Sequence, residues 1–217
     1  MSTMRNGERF VAILMLLGCG CGATRVSLAP SIPTPSQPVA GGGKVAVARQ
    51  ADGLPDTIGR ATITVFAIPT SSVQFGDPDT AERIMRGLRA TLRKAGYQPI
   101  DPADLPLGPV LTCRIKEMSF KNYTWFMPAI ITWGTIRLTL ALSDPTGAVR
   151  WQRDYEGHYS DTEVGEGFDE AVNTVMGRIL ARAAEDFTSS EFSAACCGLE
   201  AAAISLGGAQ AAEPAPE

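Results

Sequence analysis

Apolar and polar residues alternate along much of the middle of this chain, and a period of two predicts β-strands with one buried face. The clearest alternation covers 134–143 and continues, after the turn sequence Asp-Pro-Thr-Gly at 144–147, through 149–159. Proline and glycine at these turn positions favour a type I turn, so the two segments predict an antiparallel hairpin. Shorter alternating or β-branched stretches predict further strands at 44–48, 61–68, 97–100 and 110–120.

Two segments carry apolar residues at the three- and four-residue spacing of amphipathic helices. The first begins at Asp77-Pro78-Asp79-Thr80 and ends at Gly96, and the second runs from near Val164 to Phe187. The basic face of the first helix favours a solvated surface over a site for an acidic partner, and its residues are Arg83, Arg86, Arg89 and Arg93. The order β-β-α-β-β-β-β-α predicts an α+β fold, with a mainly antiparallel sheet and both helices packed on one face.

The first residues have the features of a bacterial export signal. Arg5 and Arg9 precede an apolar run that ends at Leu17, and this run is shorter than the about 20 residues of a membrane-spanning helix. Leu16-Leu17-Gly18-Cys19 resembles the lipobox of bacterial lipoproteins, in which the signal is cut before the cysteine and the cysteine is acylated. The resemblance implies a signal peptide at 1–18 and lipidation of Cys19. The alternatives are an ordinary signal peptide and an uncleaved anchor.

Composition divides the remaining chain into three parts. Proline, serine and glycine dominate the start of the mature chain, which predicts a lipidated N-terminus and tether at 19–43. The predicted strands and helices fall within 44–192, which is a common size for a single domain. The remaining segment, 193–217, is rich in alanine, glycine and proline and is predicted to be a disordered tail.

Charge and cysteine content limit the possible ligands. The formal net charge is −4 and no basic face is evident, so we expect no nucleic-acid partner. Export would carry Cys113, Cys196 and Cys197 into an oxidising compartment, where one of the adjacent pair is a candidate disulfide partner for Cys113. With one histidine and no Cys-x-x-Cys motif, the sequence predicts neither a metal nor another cofactor.

Two groups of polar residues are candidates for a catalytic or a metal-binding site. His158 is followed by Ser160 and Asp161, but neighbours in sequence do not make a catalytic triad, whose members the fold brings together. Five acids precede or begin the last helix, where the helix dipole favours them without any cation: Asp161, Glu163, Glu166, Asp169 and Glu170. Because phosphate-loop, dinucleotide and serine-hydrolase motifs are also missing from the sequence, we predict that the protein is not an enzyme.

The segment 120–133 is the strongest candidate for a contact surface. It contains large apolar residues beside the turn-forming Lys121-Asn122 and Pro128, and exposed apolar patches mark sites of interaction. The alternative is that the segment folds back over one end of the core. The predicted partner or lipid contacts are Tyr123, Trp125, Phe126, Met127 and Ile130.

Three stretches of sequence resemble the YajG family of bacterial envelope lipoproteins. They are Asp169-Glu-Ala-Val-Asn-Thr-Val-Met176, Ala183-Ala-Glu-Asp-Phe-Thr-Ser-Ser-Glu-Phe192 and Leu88-Arg-Ala-Thr-Leu-Arg-Lys-Ala-Gly-Tyr97. The lipobox, the proline-rich lead and the strand-rich middle follow in the matching order. The resemblance implies an anchored periplasmic domain without known catalytic residues.

These observations predict an outer-membrane-anchored lipoprotein that faces the periplasm. Gly20 after the acylated cysteine fits export past the inner membrane. We expect a non-catalytic, protein-binding accessory module of the envelope. The alternative is a lipid-handling or transport-auxiliary lipoprotein, in which the same residues line a lipid path between sheet and helices. An envelope hydrolase is a remote alternative. The sequence leaves the oligomeric state open.

Overall fold

A computed structural model of the chain describes residues 22–63, 68–124, 130–161 and 167–196. Within these ranges the predicted α+β class is confirmed, with eight strands in one mixed sheet and two α-helices. The strands are β1 (Gly22–Val26), β2 (Lys44–Val47), β3 (Gly59–Ile63), β4 (Ile68–Phe75), β5 (Gln98–Ile100), β6 (Val110–Thr124), β7 (Ile130–Ser143) and β8 (Val149–Asp161). The helices are α1 (Thr80–Lys94) and α2 (Phe168–Phe187), and a short 3-10 helix covers Pro102–Asp104.

Strand β6 is the central strand of the sheet and pairs with other strands along both of its edges. Along one edge it pairs with β7 over its whole length in antiparallel register, and β7 pairs with β8 in the same way. Along the other edge two groups of short strands occupy its two ends. The pair β2 and β5 lies beside the start of β6, whereas β3, β4 and β1 lie beside its end. The longest ladders are antiparallel, so the sheet is mainly antiparallel as predicted.

The predicted hairpin at 134–159 is confirmed as part of β7 and β8. Its turn is held by Asp144, whose carboxylate accepts hydrogen bonds from the backbone N–H groups of Thr146 and Ala148 at 2.9 and 3.0 Å. Hydrogen bonds lower the pKa of Asp144 to about 2. The largest effect is that of the Thr146 hydroxyl, followed by those of the Ala148 N–H and the Arg150 side chain. The charged carboxylate therefore fixes the connection between the two longest antiparallel ladders.

One continuous core fills the space between the sheet and the helices. Along β6, β7 and β8 the residues that face this core alternate with exposed polar residues, as the hairpin pattern predicts. Helix α2 lies across these strands and α1 packs beside it. The largest fully buried side chains include Leu88, Leu92, Leu111, Phe120, Ile136, Leu138, Leu140, Leu142, Phe187 and Phe192.

The tether predicted for 19–43 is wrong over its described part, 22–43. Strand β1 pairs in parallel with β4, from Gly22 opposite Ser71 to Val26 opposite Phe75. Leu28, two residues after the end of β1, is buried in the core. The proline-rich composition indicated only that this segment does not form a long regular element; it did not exclude packing against the rest of the chain.

Residues 27–36, which we call the strap, run along α2. The side chain of Asn173 accepts a hydrogen bond from the Ala29 N–H at 2.7 Å and donates to the Ser27 carbonyl at 3.0 Å. Farther along the helix, Glu185 accepts from the N–H and the hydroxyl of Ser36 at 3.0 and 2.8 Å. Side chains of α2 thus satisfy backbone groups that a proline-rich segment cannot place in a sheet ladder.

The strap also contacts α1, so it lies between the two helices. Lys94 of α1 donates to the Ile32 carbonyl at 2.6 Å. A Cβ atom added to Gly177 of α2 would lie 3.0 Å from the Ser31 hydroxyl, and one added to Gly87 of α1 would lie 3.7 Å from Ile32 Cδ1. The lack of side chains at these two glycines gives the strap room to approach both helices closely.

Two other predicted boundaries also differ from the structure. The single strand expected at 61–68 corresponds to the end of β3 and the start of β4, which pair with each other in antiparallel register. A run rich in β-branched residues gives no signal that one strand ends at Ile63 and the next begins at Ile68. At the other end of the chain, residues 190–196 are helical and Phe192 is fully buried, so the domain continues past the predicted boundary at 192.

Candidate functional site

At the end of the sheet where β6 ends, one residue from each of six strands lies in a single row across the sheet. Neighbouring residues in this row are paired in the sheet, and together they are Gly22, Ser71, Ala61, Asn122, Thr132 and Asp161. We call this the entry end, because the described chain enters the domain there at Gly22. The predicted contact segment joins β6 to β7 at the same end, so Gly22 and the candidate site lie together there.

Two aromatic side chains stack on the surface of the entry end. The rings of Tyr123 and Trp133 have centroids 4.6 Å apart and planes inclined by 22°. Trp133 is 39% exposed, whereas Phe120 and Asn122, which precede Tyr123 in β6, are buried. Because neighbouring residues of a strand point to opposite faces, the aromatic pair lies on the face of the sheet away from the core.

Two cationic side chains adjoin the aromatic pair. Arg60 of β3 and Lys121 of β6 are opposite each other in the parallel register, and Lys121 is opposite Trp133 in the antiparallel one. Both are exposed, and neither forms an ion pair with any residue in the described ranges. The two cations, together with Thr62 and Tyr123, line an open cavity of about 330 Å³.

The structure describes only part of the contact set predicted from the sequence. Tyr123 is exposed in part and available for contact, and Ile130 opens β7 opposite Thr124. Trp125, Phe126 and Met127 lie outside the described residues. The sequence pattern missed Trp133, Lys121 and Arg60 as candidates, because period two alone does not show which face of a strand an aromatic occupies.

A second cavity lies near the opposite end of the sheet, and we call it the arginine cleft. It has a volume of about 380 Å³, and its charged lining residues are Arg49, Arg89, Arg93, Glu82 and Asp101. The Arg89 guanidinium donates to the carbonyl oxygens of Val47 and Ala48 at 3.0 and 3.1 Å, which fixes its position.

Within the arginine cleft the acids are already paired. Arg49 contacts Asp101 at 3.0 Å, and the Ala103 N–H and this guanidinium hold the pKa of Asp101 below its usual range. Glu82 contacts Arg86 at 3.1 Å. Arg89 lies close enough to Asp101 to lower the pKa of that carboxyl, but neither Arg89 nor Arg93 forms a salt bridge among the described residues, so the cleft carries surplus positive charge.

The arginines predicted as a solvated basic face therefore divide into two groups. Arg83 pairs with Asp77 and Asp79, and Arg86 pairs with Asp79 and Glu82 at the start of α1. These contacts fit a solvated, ion-paired surface. The other two arginines, described above, face the cleft instead.

His158 belongs to a network of charges on the exposed face of the sheet. Its Nε2 lies 3.1 Å from Glu156, and its Nδ1 lies 3.1 Å from the Thr135 hydroxyl. Arg137 contacts the same glutamate at 2.8 Å and lowers its pKa. The fold thus gives His158 surface partners other than Ser160 and Asp161, which follow it in sequence.

The acid cluster before α2 is only partly described. Asp169 accepts a hydrogen bond from the Ser27 N–H at 2.6 Å, so its role is to hold the strap. Glu163 and Glu166 lie outside the described residues. In the part of the chain that the structure describes, no group of three or more histidine, cysteine, aspartate or glutamate residues is arranged to hold a metal ion.

The predicted disulfide to Cys113 is not formed in this structure. Cys113 has a free thiol and is buried on the core side of β6. Burial raises the pKa of this thiol to about 12, so it stays protonated and unreactive. Cys196 is buried in the last helical segment, and Cys197 lies outside the described residues. The sequence spacing could not show that Cys113 points into a close-packed core.

These features define a class of α+β domain in which two helices cover one face of a mainly antiparallel sheet. Among the described residues, neither helix is long and apolar enough to cross a membrane. No protein-family model matches the chain, and no curated protein matches its sequence significantly.

Several solved structures are similar to this chain. A Xanthomonas campestris protein of the DUF330 family is 13% identical over 84% of this chain and 99% of its own, with a TM-score of 0.41. PelC from Paraburkholderia phytofirmans, a dodecamer, is 19% identical over 68% and 92%, with a TM-score of 0.36. Lipoprotein GNA1162 from Neisseria meningitidis is 11% identical over 68% and 99%, also with a TM-score of 0.36. Membership of the YajG family stays a prediction.

Proposed function

We propose that this protein is a lipid-anchored, non-catalytic accessory protein of the bacterial envelope that binds a partner protein. The observation that supports this most is the short distance in sequence between the lipobox cysteine and the fold. Cys19 precedes the first residue of β1, Gly22, by three residues. The acylated residue would therefore be joined almost directly to the sheet. Gly20 after the cysteine favours the outer membrane, with the domain in the periplasm.

The anchoring step follows from the energetics of acyl chains. A single acyl chain binds a membrane only marginally, whereas two or more hold a protein stably. Lipoprotein processing supplies at least two, so the domain would stay at the membrane without any spanning helix. Three extended residues reach at most about 11 Å, so the entry end of the sheet would face that membrane.

This orientation changes the surface that we assign to the protein partner. Val110 and Asn122 are twelve residues apart in β6, a distance of about 40 Å at 3.3 Å per residue. The arginine cleft lies near the Val110 end and would therefore face the periplasm. Arg89 and Arg93, which form no salt bridge among the described residues, favour an acidic segment of the partner, because guanidinium groups bind carboxylates with two parallel hydrogen bonds.

The lipid-handling alternative has less support. It places the predicted contact residues along a lipid path between the sheet and the helices. Tyr123 instead stacks on Trp133 on the face of the sheet away from the helices. On the core side at that end, Asn122 donates to the Thr132 hydroxyl at 3.0 Å, and both residues are buried.

Anchoring is tested by Cys19→Ser in the full-length chain. Without the thiol no acyl chain can be attached, so we expect the protein to leave the membrane fraction or to accumulate with its signal peptide attached. Membrane fractionation and the mass of the N-terminal peptide measure both outcomes. Cys21→Ser is the matched control and should fractionate like the unaltered protein. A Cys19→Ser protein that remains in the outer membrane with normal processing would contradict the proposal.

Partner binding is tested at the arginine cleft in living cells. A photo-crosslinking residue at Gln50, which lines the cleft, should capture one discrete protein. Each charge-assisted hydrogen bond contributes about 1.5–3 kcal/mol, so Arg89→Glu with Arg93→Glu should weaken binding at least about tenfold. Arg86→Glu, on the same helix but outside the cleft, should leave the adduct unchanged. Equal loss in the control, or an adduct that survives the double variant, would exclude the cleft as the contact.

A further inference from the structure

We infer that the entry end of the sheet rests on the phospholipid headgroups of the membrane that holds Cys19, with the Tyr123–Trp133 pair in the headgroup layer. The inference rests on the proposed anchoring at Cys19. It adds an orientation and a lipid contact that anchoring alone does not require.

The first argument is the length of chain between the anchor and the fold. A flexible tether from 19 to 43 would have a root-mean-square length of about 25–30 Å and would leave the domain free to turn. The pairing of β1 with β4 removes that freedom from Gly22 onward, because Gly22 is already paired with Ser71 in the sheet. The remaining link of three residues reaches at most about 11 Å.

The second argument is the position of the aromatic pair relative to that link. Gly22 and Asn122 belong to the same register row, and Tyr123 is the next residue of β6. Two strands, β4 and β3, separate β1 from β6, so the lateral distance to β6 is about 14 Å and that to β7 about 19 Å. The pair therefore lies at nearly the same height above the membrane as the point where the anchored chain enters.

The third argument is the chemistry of this surface. Tyrosine and tryptophan have an apolar ring with a polar edge and are enriched at the level of lipid headgroups. Trp133 is 39% exposed and stacked on Tyr123, so a rigid aromatic surface is available without rearrangement. Arg60 and Lys121 beside it have no ion-pair partner among the described residues, and cations of this kind attract anionic lipid.

The arginine cleft does not compete for the same contact. It lies near the far end of β6, several tens of ångströms from the entry end, well beyond the Debye length of about 8 Å in physiological salt. Its charge therefore neither adds to nor opposes the attraction at the entry end. The two surfaces would face different environments, lipid at one end and a protein at the other.

A photo-crosslinking residue in place of Trp133, in the full-length chain in living cells, tests this contact. We expect a phospholipid adduct, detected by mass spectrometry of the gel-purified protein. The matched control position is Gln152 in β8. It is exposed on the same face of the sheet as Trp133 but lies nearer the far end, so it should give no lipid adduct. A discrete protein adduct at 133, or equal lipid labelling at both positions, would overturn the inference.

The failure of the inference can be separated from failure of the proposed function. If the protein is absent from the membrane fraction of the same cells, the anchoring itself is wrong. If the protein is in that fraction and position 133 captures a protein or nothing, only the lipid contact is wrong. The labelling yield at 133 relative to 152 is the deciding quantity, and we expect a ratio of at least tenfold.

A second measurement uses purified, acylated protein in vesicles that contain brominated phospholipid. Bromine quenches tryptophan fluorescence at short range, and Trp125→Phe leaves only Trp133 and Trp151 as emitters. Trp151 is buried in the core and serves as the unquenched reference. We expect quenching of Trp133 that falls at least twofold in Arg60→Glu with Lys121→Glu. Emission from Trp133 that bromine leaves unchanged would overturn the inference.

Discussion

Phe192→Ala should lower the free energy of unfolding by about 3–5 kcal/mol, the usual cost of removing a buried phenylalanine side chain. Phe192 is fully buried, and its ring packs against Phe187 at 4.8 Å, Trp151 at 4.9 Å and Tyr97 at 5.3 Å. Truncation leaves a cavity that these three rings cannot fill without moving. Denaturant unfolding of the purified full-length protein, followed by circular dichroism, measures the change.

The matched control for this prediction is the neighbouring residue. Glu191→Gln removes only an exposed ion pair with Arg153, and such pairs contribute at most about 1 kcal/mol. We therefore expect its unfolding curve to lie close to that of the unaltered protein. If Phe192→Ala were as mild as this control, the segment at 190–196 would not be docked on the core.

Leu28→Ala should lower the free energy of unfolding by about 2–5 kcal/mol, although the composition of its surroundings predicts a flexible tether. Leu28 is 2% exposed and belongs to the same core as the sheet and the helices. Its loss removes apolar contacts at the point where β1 passes into the strap. Thermal and denaturant unfolding measure the effect.

Leu107→Ala is the control for this second prediction, since Leu107 is 68% exposed in a surface loop. Its truncation should change stability by less than about 0.5 kcal/mol. Equal stabilities of the Leu28 variant and the unaltered protein would mean that residues 22–36 are a tether after all. The short link to the membrane, and with it the lipid contact of the entry end, would then lose its basis.

The strap connects these stability predictions with function. Its hydrogen bonds to Asp169, Asn173 and Glu185 hold the first part of the mature chain along α2. The same contacts restrict how far the domain can move from an acylated Cys19. In a variant with a loosened strap, the domain could move farther from the membrane and would no longer be held in one orientation. The packing of the strap therefore has a direct consequence at the membrane.

Part of the candidate site was predictable from the sequence and part was not. Tyr123 was found because aromatic residues cluster within one short segment. Arg60 was missed because it lies about sixty residues away, in a strand that joins β6 only through parallel pairing. Trp133 was missed as a site residue because its strand position alone is compatible with either face. The site depends on pairing between distant segments, which local patterns do not encode.

By itself, the sequence determined those features that depend on local spacing. Alternation predicted the hairpin of β7 and β8, three-to-four-residue spacing predicted both helices, and the lipobox resemblance pointed to Cys19. Tertiary structure alone decided where the proline-rich lead packs, since its backbone groups are satisfied by side chains of a helix more than 130 residues away. It also decided that Gly22 and the aromatic pair lie at one end of the sheet, because that row is assembled from strands that are distant in sequence.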